Sequence, residues 1–259
     1  MSYLTDYYEH YDEDGRLAAS QHGQVEYLTT MKYLEDFLTP GMRVIEIGAG
    51  TGRYSLTLAR KGYHVTALEL VEHNLSILRA KVQPGDDLIA EQGNALDLSR
   101  YPDGSFDAAR VLGPMYHLYT EAEKVRALTE AKRVTKPGGL LFVAYCMNEA
   151  SIISYAFRGG HLRACLEKGM IGENFHCISK PEDLFELTRT EDIARLNDLA
   201  GLRRLKLIAT DGPTNYLRET VDAMDAETFA MWMRYHLCTC ERQYLIGASH
   251  HVLDILRAS

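Results

Sequence analysis

Long apolar runs are missing from this chain. No stretch approaches the roughly 20 consecutive apolar residues of a membrane span. The N-terminus, Met-Ser-Tyr-Leu-Thr-Asp, has neither a basic nor an apolar segment. The expectation is a cytoplasmic protein without membrane contacts. Basic charge is also scarce: 28 Lys and Arg against 36 Asp and Glu give a formal charge of −8. Nucleic-acid binding usually needs a basic face, so that partner is disfavoured. Cysteine is sparse and unpatterned. Cys146, Cys165, Cys177, Cys238 and Cys240 make an odd number with no C-x-x-C pair. They read as reduced thiols, and Cys238-x-Cys240 is too little for a zinc site. Internal repeats, low-complexity segments and an interdomain linker are all missing. The 259 residues therefore read as one domain long enough for a sizeable core.

What is present centres on Met42 to Tyr54, Met-Arg-Val-Ile-Glu-Ile-Gly-Ala-Gly-Thr-Gly-Arg-Tyr. Val44, Ile45 and Ile47 read as a buried strand, Gly48, Gly50 and Gly52 as a tight turn, and Tyr54 to Arg60 as a helix. A strand feeding a glycine turn and a helix N-terminus is a nucleotide-binding device. Downstream, strands are expected at Tyr63–Leu70, Asp87–Glu91, Phe106–Leu112 and Leu140–Tyr145. Helical faces lie between them, one opened by a capping box at Thr120-x-x-Glu123. Alternating strands and helices mean a parallel sheet covered on both faces. Upstream, Tyr27, Met31, Leu34 and Leu38 mark a helix over Gln24–Leu38. Beyond Cys146 the alternation breaks. A helix start is expected at Ser179-x-x-Glu182, further helices after Thr190 and Asp225, and strands at Leu202–Ala209 and Ser249–Leu256.

The glycine spacing is G-x-G-x-G, and Arg53 stands where a dinucleotide fingerprint wants its third glycine. Glu46, inside the strand, would repel a pyrophosphate and attract a cation. S-adenosylmethionine carries an ammonium, a sulfonium and a single carboxylate, which fits such a site. Glu69, about twenty residues beyond the turn at a strand end, can accept from both ribose hydroxyls. Asn94 follows the third strand, where an amide can pair with the adenine edge.

Glu46-Ile-Gly-Ala-Gly-Thr-Gly52, Val65-Thr-Ala-Leu-Glu69, Gly93-Asn-Ala95 and Lys136-Pro-Gly-Gly139 together resemble the successive motifs of class I S-adenosylmethionine-dependent methyltransferases, over about residues 40–146. The resemblance implies an α/β Rossmann-like, doubly wound, seven-stranded and mostly parallel sheet in the order 3-2-1-4-5-7-6, its last strand antiparallel. It also implies a cofactor site. Glu46 would lie near the methionyl ammonium, and Gly48, Ala49 and Gly50 along the methionyl and ribose region. Glu69 would hold the ribose and Leu70 would pack on adenine, with Asn94 and Ala95 at the adenine edge. Leu112 and Gly113 would approach the methionyl arm. Asn94 stands where aspartate is frequent. The product would be S-adenosylhomocysteine.

The acceptor is expected to be a small molecule, methylated by in-line displacement. Leu112-Gly113-Pro114-Met115 lacks the polar first residue of the tetrad used by enzymes that methylate nucleic-acid amino groups. The segment resembles the small-molecule branch instead. His117 and Tyr116 are the candidate catalytic residues. Tyr11, Arg16, His22, Tyr145, His236 and His250 are candidates for the substrate pocket, with Glu241, Arg242 and His251 nearby in sequence. Residues 1–40 are expected to form a flap, and about 147–189 and 212–247 lid insertions. Adjacent strand residues face opposite ways, so His250 and His251 do not share a site easily. No histidine pair or carboxylate–histidine spacing accompanies them, and no metal is expected. A protein or nucleic-acid methyltransferase, or a non-catalytic S-adenosylmethionine-binding protein, are the alternatives, with a dehydrogenase third. Oligomeric state is not legible.

Overall fold

A computed structural model describes residues 3–11, 15 and 20–258. The chain begins with helices α1 (Tyr3–Tyr8) and α2 (Gln21–Phe37). The alternating half follows: β1 (Arg43–Ile47), α3 (Arg53–Arg60), β2 (His64–Glu69), α4 (Glu72–Lys81), β3 (Leu88–Gln92), β4 (Phe106–Val111), α5 (Glu121–Val134) and β5 (Thr135–Cys146). The remainder is α6 (Asn148–Ser151), a π-helical stretch (Ile152–Arg158), α7 (Leu162–Glu167), α8 (Thr190–Ala200), β6 (Leu202–Ala209), α9 (Arg218–Asp222), α10 (Ala226–Thr239), α11 (Gln243–Ile246) and β7 (His251–Ala258). Among the described residues no helix is long and apolar enough to cross a membrane, and all five cysteines are unpaired.

The seven strands form one sheet in the order β3-β2-β1-β4-β5-β7-β6. The first five strands pair in parallel, and β7 runs antiparallel between β5 and β6. Local chemistry explains the elements. Val44, Ile45 and Ile47 are buried on both faces of the sheet, as a central parallel strand requires. Ser20 caps α2 by accepting from the Gly23 N–H, and Thr120 and Glu123 close a reciprocal capping box on α5. The strand order reverses between β1 and β4. Open α/β sheets bind ligands beyond the strand C-termini at such a switch point.

Three expectations change. β5 starts at Thr135, before the Pro-Gly-Gly stop, because Thr135 already pairs with Phe106; the ladder resumes at Ala108 with Leu140, so the extra residues, 136–139, lie in β5. The helix start at Ser179-x-x-Glu182 yields only a single 3₁₀ turn, Pro181–Asp183, which Leu184 ends at φ 67°. The N-terminal arm contains a helix, α1.

Candidate active site

The turn after β1 is a backbone cradle. Gly48 and Gly52 both take positive φ, 78° and 84°. A Cβ on Gly48 would lie 2.7 Å from Pro114 Cδ, and one on Gly52 would lie 2.0 Å from Leu78 Cδ1. Glycine is thus required twice, once against the segment after β4 and once against α4. Glu69, at the end of β2, fixes the cradle: the Gly50 N–H donates to Oε2 at 2.7 Å and the Val71 N–H to Oε1 at 2.8 Å.

A cleft opens over the cradle at the strand C-termini. Glu46, Gly48, Ala49, Gly50, Glu69, Leu70, Asn94, Ala95, Leu112 and Gly113 all line it, with Tyr116 and His117 at one end and Leu4 and Tyr8 of α1 above. Three features suit a nucleoside with an amino-acid arm. The close approach at Gly48 leaves backbone facing the cleft. Leu70 presents a 46% exposed apolar side chain to its wall. Asn94 Oδ1 accepts from the Leu96 N–H at 2.9 Å, so the amide offers the cleft its Nδ2 as a donor. That is the opposite polarity from an aspartate.

Glu46 is not a lone anion. It is 2% exposed, and in register across the sheet lies Arg110, fully buried, whose Nη2 donates to Glu46 Oε1 at 2.8 Å. The Ser55 hydroxyl donates to Oε2. Burial pushes the Glu46 carboxyl up, against the pull of Arg110 and Ser55. The electrostatic expectation for Glu46 is therefore corrected. Its charge is compensated from below, and what it offers the cleft is an oriented acceptor rather than net negative charge. Arg110 is not among the expected site residues; its sequence signal is a second charge, after Asp107, inside the otherwise apolar strand Phe106–Val111.

His117 sits where the cleft turns toward α1. Its Nδ1 lies 2.8 Å from the Leu184 carbonyl, which can only accept, so Nδ1 carries the proton. Nε2 is then an acceptor, and the Tyr8 hydroxyl donates to it at 3.0 Å. Burial pushes the imidazole down to about 4, against the Leu184 hydrogen bond, so it is neutral near pH 7. Tyr116 donates its hydroxyl to the Leu112 carbonyl at 2.7 Å, which ties the segment back to β4.

A second cavity lies on the other side of Tyr8 and Tyr116, which line both spaces. Tyr7, Tyr11 and Phe185 add aromatic surface to it, and His22, Glu26, Asp211, Arg218 and His251 add polar groups. Tyr11 and His22 thus both line this cavity. His22 Nδ1 is 2.7 Å from Asp222 Oδ2. Arg16 lies outside the described residues. Three expectations are corrected, since Tyr145, His236 and His250 line neither space. Tyr145 is fully buried on β5, paired in register with Val252. His236 is buried beneath Gly212. His250 bonds the Ser154 hydroxyl at 2.8 Å and packs on Tyr216. Strand alternation gives the cavity His251 in its place. Glu241 pairs with Lys206 and Tyr33.

The strand order and the cradle define a Rossmann-like α/β protein with a nucleoside-sized cleft at its switch point. Comparison with known proteins makes this specific. Residues 45–143 match the family described as "Methyltransferase domain". The chain is 29% identical over 175 residues to the ubiquinone biosynthesis O-methyltransferase of Xanthomonas campestris pv. campestris, covering 63% of this chain and 66% of that one, just short of two thirds. It is 39% identical over 105 residues to the demethylmenaquinone methyltransferase of Renibacterium salmoninarum, covering 40% and 41%. Among solved structures, an S-adenosylmethionine-dependent methyltransferase from Methanosarcina mazei superposes with a TM-score of 0.59 at 17% identity, covering 87% of this chain and 96% of that one. Residues 45–143 thus carry a methyltransferase domain, and the relatives and the fold support a class I S-adenosylmethionine-dependent methyltransferase.

Proposed function

We propose that the protein methylates a hydroxyl group, phenolic or enolic, on a small aromatic or quinone-like molecule. The observation that carries this reading is the His117–Tyr8 pair: at the end of the cleft an unprotonated imidazole nitrogen accepts a hydrogen bond from a phenol. A substrate phenol that displaced Tyr8 would find the same acceptor. The aromatic second cavity behind Tyr8 and Tyr116 would hold the rest of the acceptor. The similarity to the ubiquinone and menaquinone methyltransferases supports an acceptor of this class.

When bound, S-adenosylmethionine would supply a methyl group on a sulfonium sulfur, a neutral leaving group for an in-line displacement. The chain's own residues position and deprotonate. In this reading Glu69 would accept from the ribose hydroxyls, Glu46 from the ammonium, and Leu70, Asn94 and Ala95 would enclose the adenine. Gly48, Ala49, Gly50, Leu112 and Gly113 form the backbone walls. His117 Nε2, unprotonated, would accept the proton of the acceptor hydroxyl and pass it to solvent. Tyr116 serves as a wall between the two spaces rather than in the proton transfer. Helix α1 and the segment around Leu184–Phe185 act as a lid that excludes water. Tyr7 of α1 already meets Phe185 ring to ring, and Tyr8 of α1 meets His117.

The test is a methyl-transfer screen across phenols, catechols, hydroquinones, amines, carboxylates and thiols. Transfer to hydroxyl acceptors is expected. Transfer confined to amines or thiols would overturn the reading.

A further inference from the structure

Away from the cofactor cleft, three side chains from distant parts of the sequence converge. Glu26 lies on α2, Asp211 follows β6, and His251 opens β7; one donor atom from each falls within 4.8 Å of the others. His251 Nδ1 is 2.7 Å from Asp211 Oδ2 and 3.4 Å from Glu26 Oε2. All three line the second cavity.

An N–H has one hydrogen and one direction, so it serves one of two carboxylates well. A cation in place of that proton would serve all three donors together. Asp211 is prepared for such a role. It is 1% exposed, and its other oxygen, Oδ1, accepts from the Ser249 hydroxyl and from the backbone N–H groups of His250 and His251. Asn215 donates to Oδ2 at 2.6 Å and orients it. Outer partners that aim a carboxylate in this way are typical of metal ligands.

We propose that Glu26, Asp211 and His251 bind a divalent transition-metal ion of the zinc or manganese class. One imidazole and two carboxylates disfavour magnesium and calcium, which prefer all-oxygen shells. Three protein ligands leave coordination positions open. Those positions face a cavity that shares Tyr8 and Tyr116 with the cofactor cleft. An acceptor oxygen bound to the ion would become more acidic, and the proton it loses would pass to His117 or solvent. That use of the ion rests on the proposed function; binding of the ion does not. The sequence hides the site because its ligands stand at 26, 211 and 251 with no local spacing to mark them.

The test uses the full chain, stripped with chelator and titrated calorimetrically with Zn²⁺, Mn²⁺ and Mg²⁺. S-adenosylhomocysteine is titrated in the same samples. One Zn²⁺ or Mn²⁺ per chain is expected, with Mg²⁺ weaker. Glu26→Gln and His251→Gln should each weaken the ion by about tenfold or more and leave S-adenosylhomocysteine binding intact. No ion binding by wild type, or equal binding by both variants, overturns the inference. X-ray absorption of the Zn²⁺-loaded wild-type chain gives a reading independent of variant folding. One nitrogen and two carboxylates support the site, and a sulfur at about 2.3 Å contradicts it. Wild type that binds the ion but not S-adenosylhomocysteine would fail the functional reading alone; the reverse result would fail this one alone.

Discussion

Glu46 and Arg110 show how a charge inside a strand can be tolerated. Removing the guanidinium would leave a carboxylate 2% exposed with only Ser55 beside it. Breaking a buried pair by deleting one partner typically costs about 3–5 kcal/mol. Arg110→Met should therefore lower stability by about that amount in urea unfolding. Glu69 is tied to the cradle through Gly50 and Val71, whereas His117 bonds to Leu184 and Tyr8. Glu69→Ala should accordingly weaken S-adenosylhomocysteine binding more than His117→Ala does, as read by calorimetry. His117 also gives a pH signature. Its folded value, about 4, lies below the ordinary 6.5. The unfolded chain thus holds that proton more tightly. The stability it contributes is complete above about pH 6.5 and is lost as pH falls through about 4. Wild type should lose more stability than His117→Asn between pH 7 and 4 in paired urea melts. At this scale the place of the glycine turn, Glu69 and Asn94 on the cleft is legible because it follows from local spacing. Arg110 was not read, because its partner is a neighbour across the sheet. The choice of His251 over His250 turns on which face of β7 meets the cavity, and pattern alone does not give that.

Among the elements, α1 changes most between expectation and structure. A flap is the expectation for residues 1–40, and in the structure a six-residue helix brings Leu4 and Tyr8 to the lining of the cleft. The opposite side of that cover hangs on Leu184. This non-glycine residue sits at φ 67°, and its carbonyl accepts from both His117 Nδ1 and the Tyr119 hydroxyl. Left-handed backbone in such a residue costs about 1–3 kcal/mol, so the surrounding bonds must hold it there. Deleting residues 1–11 should leave the sheet folded and speed S-adenosylhomocysteine release in stopped-flow fluorescence. Unchanged release would remove α1 from the lid. The sequence marks β1, the start of α5 and β6 closely, because caps and apolar strand patterns act within one element. It failed at Ser179-x-x-Glu182, where a capping pattern precedes a turn that Leu184's conformation ends.

At the scale of the whole molecule, the sheet order brings the ends of β1, β2 and β4 to one edge. The segments after β5 and β6 return over the same edge, so that Phe185 and Asp211 meet α1 and α2 around a second space. The parallel half was legible from alternation alone. The pocket half was not, since it is assembled from contacts more than a hundred residues apart, such as Tyr8 with His117. The account centres on that pair as the point of proton removal. The direct measurement is the pH dependence of kcat/KM for a phenolic acceptor, with saturating S-adenosylmethionine, in wild type and His117→Ala. The account predicts that wild type keeps its activity down to an acid limb near pH 4 to 5, and that the variant loses about 100-fold or more in kcat with little change in KM for S-adenosylmethionine. An unchanged kcat in His117→Ala, or a wild-type acid limb that persists in the variant, would contradict it.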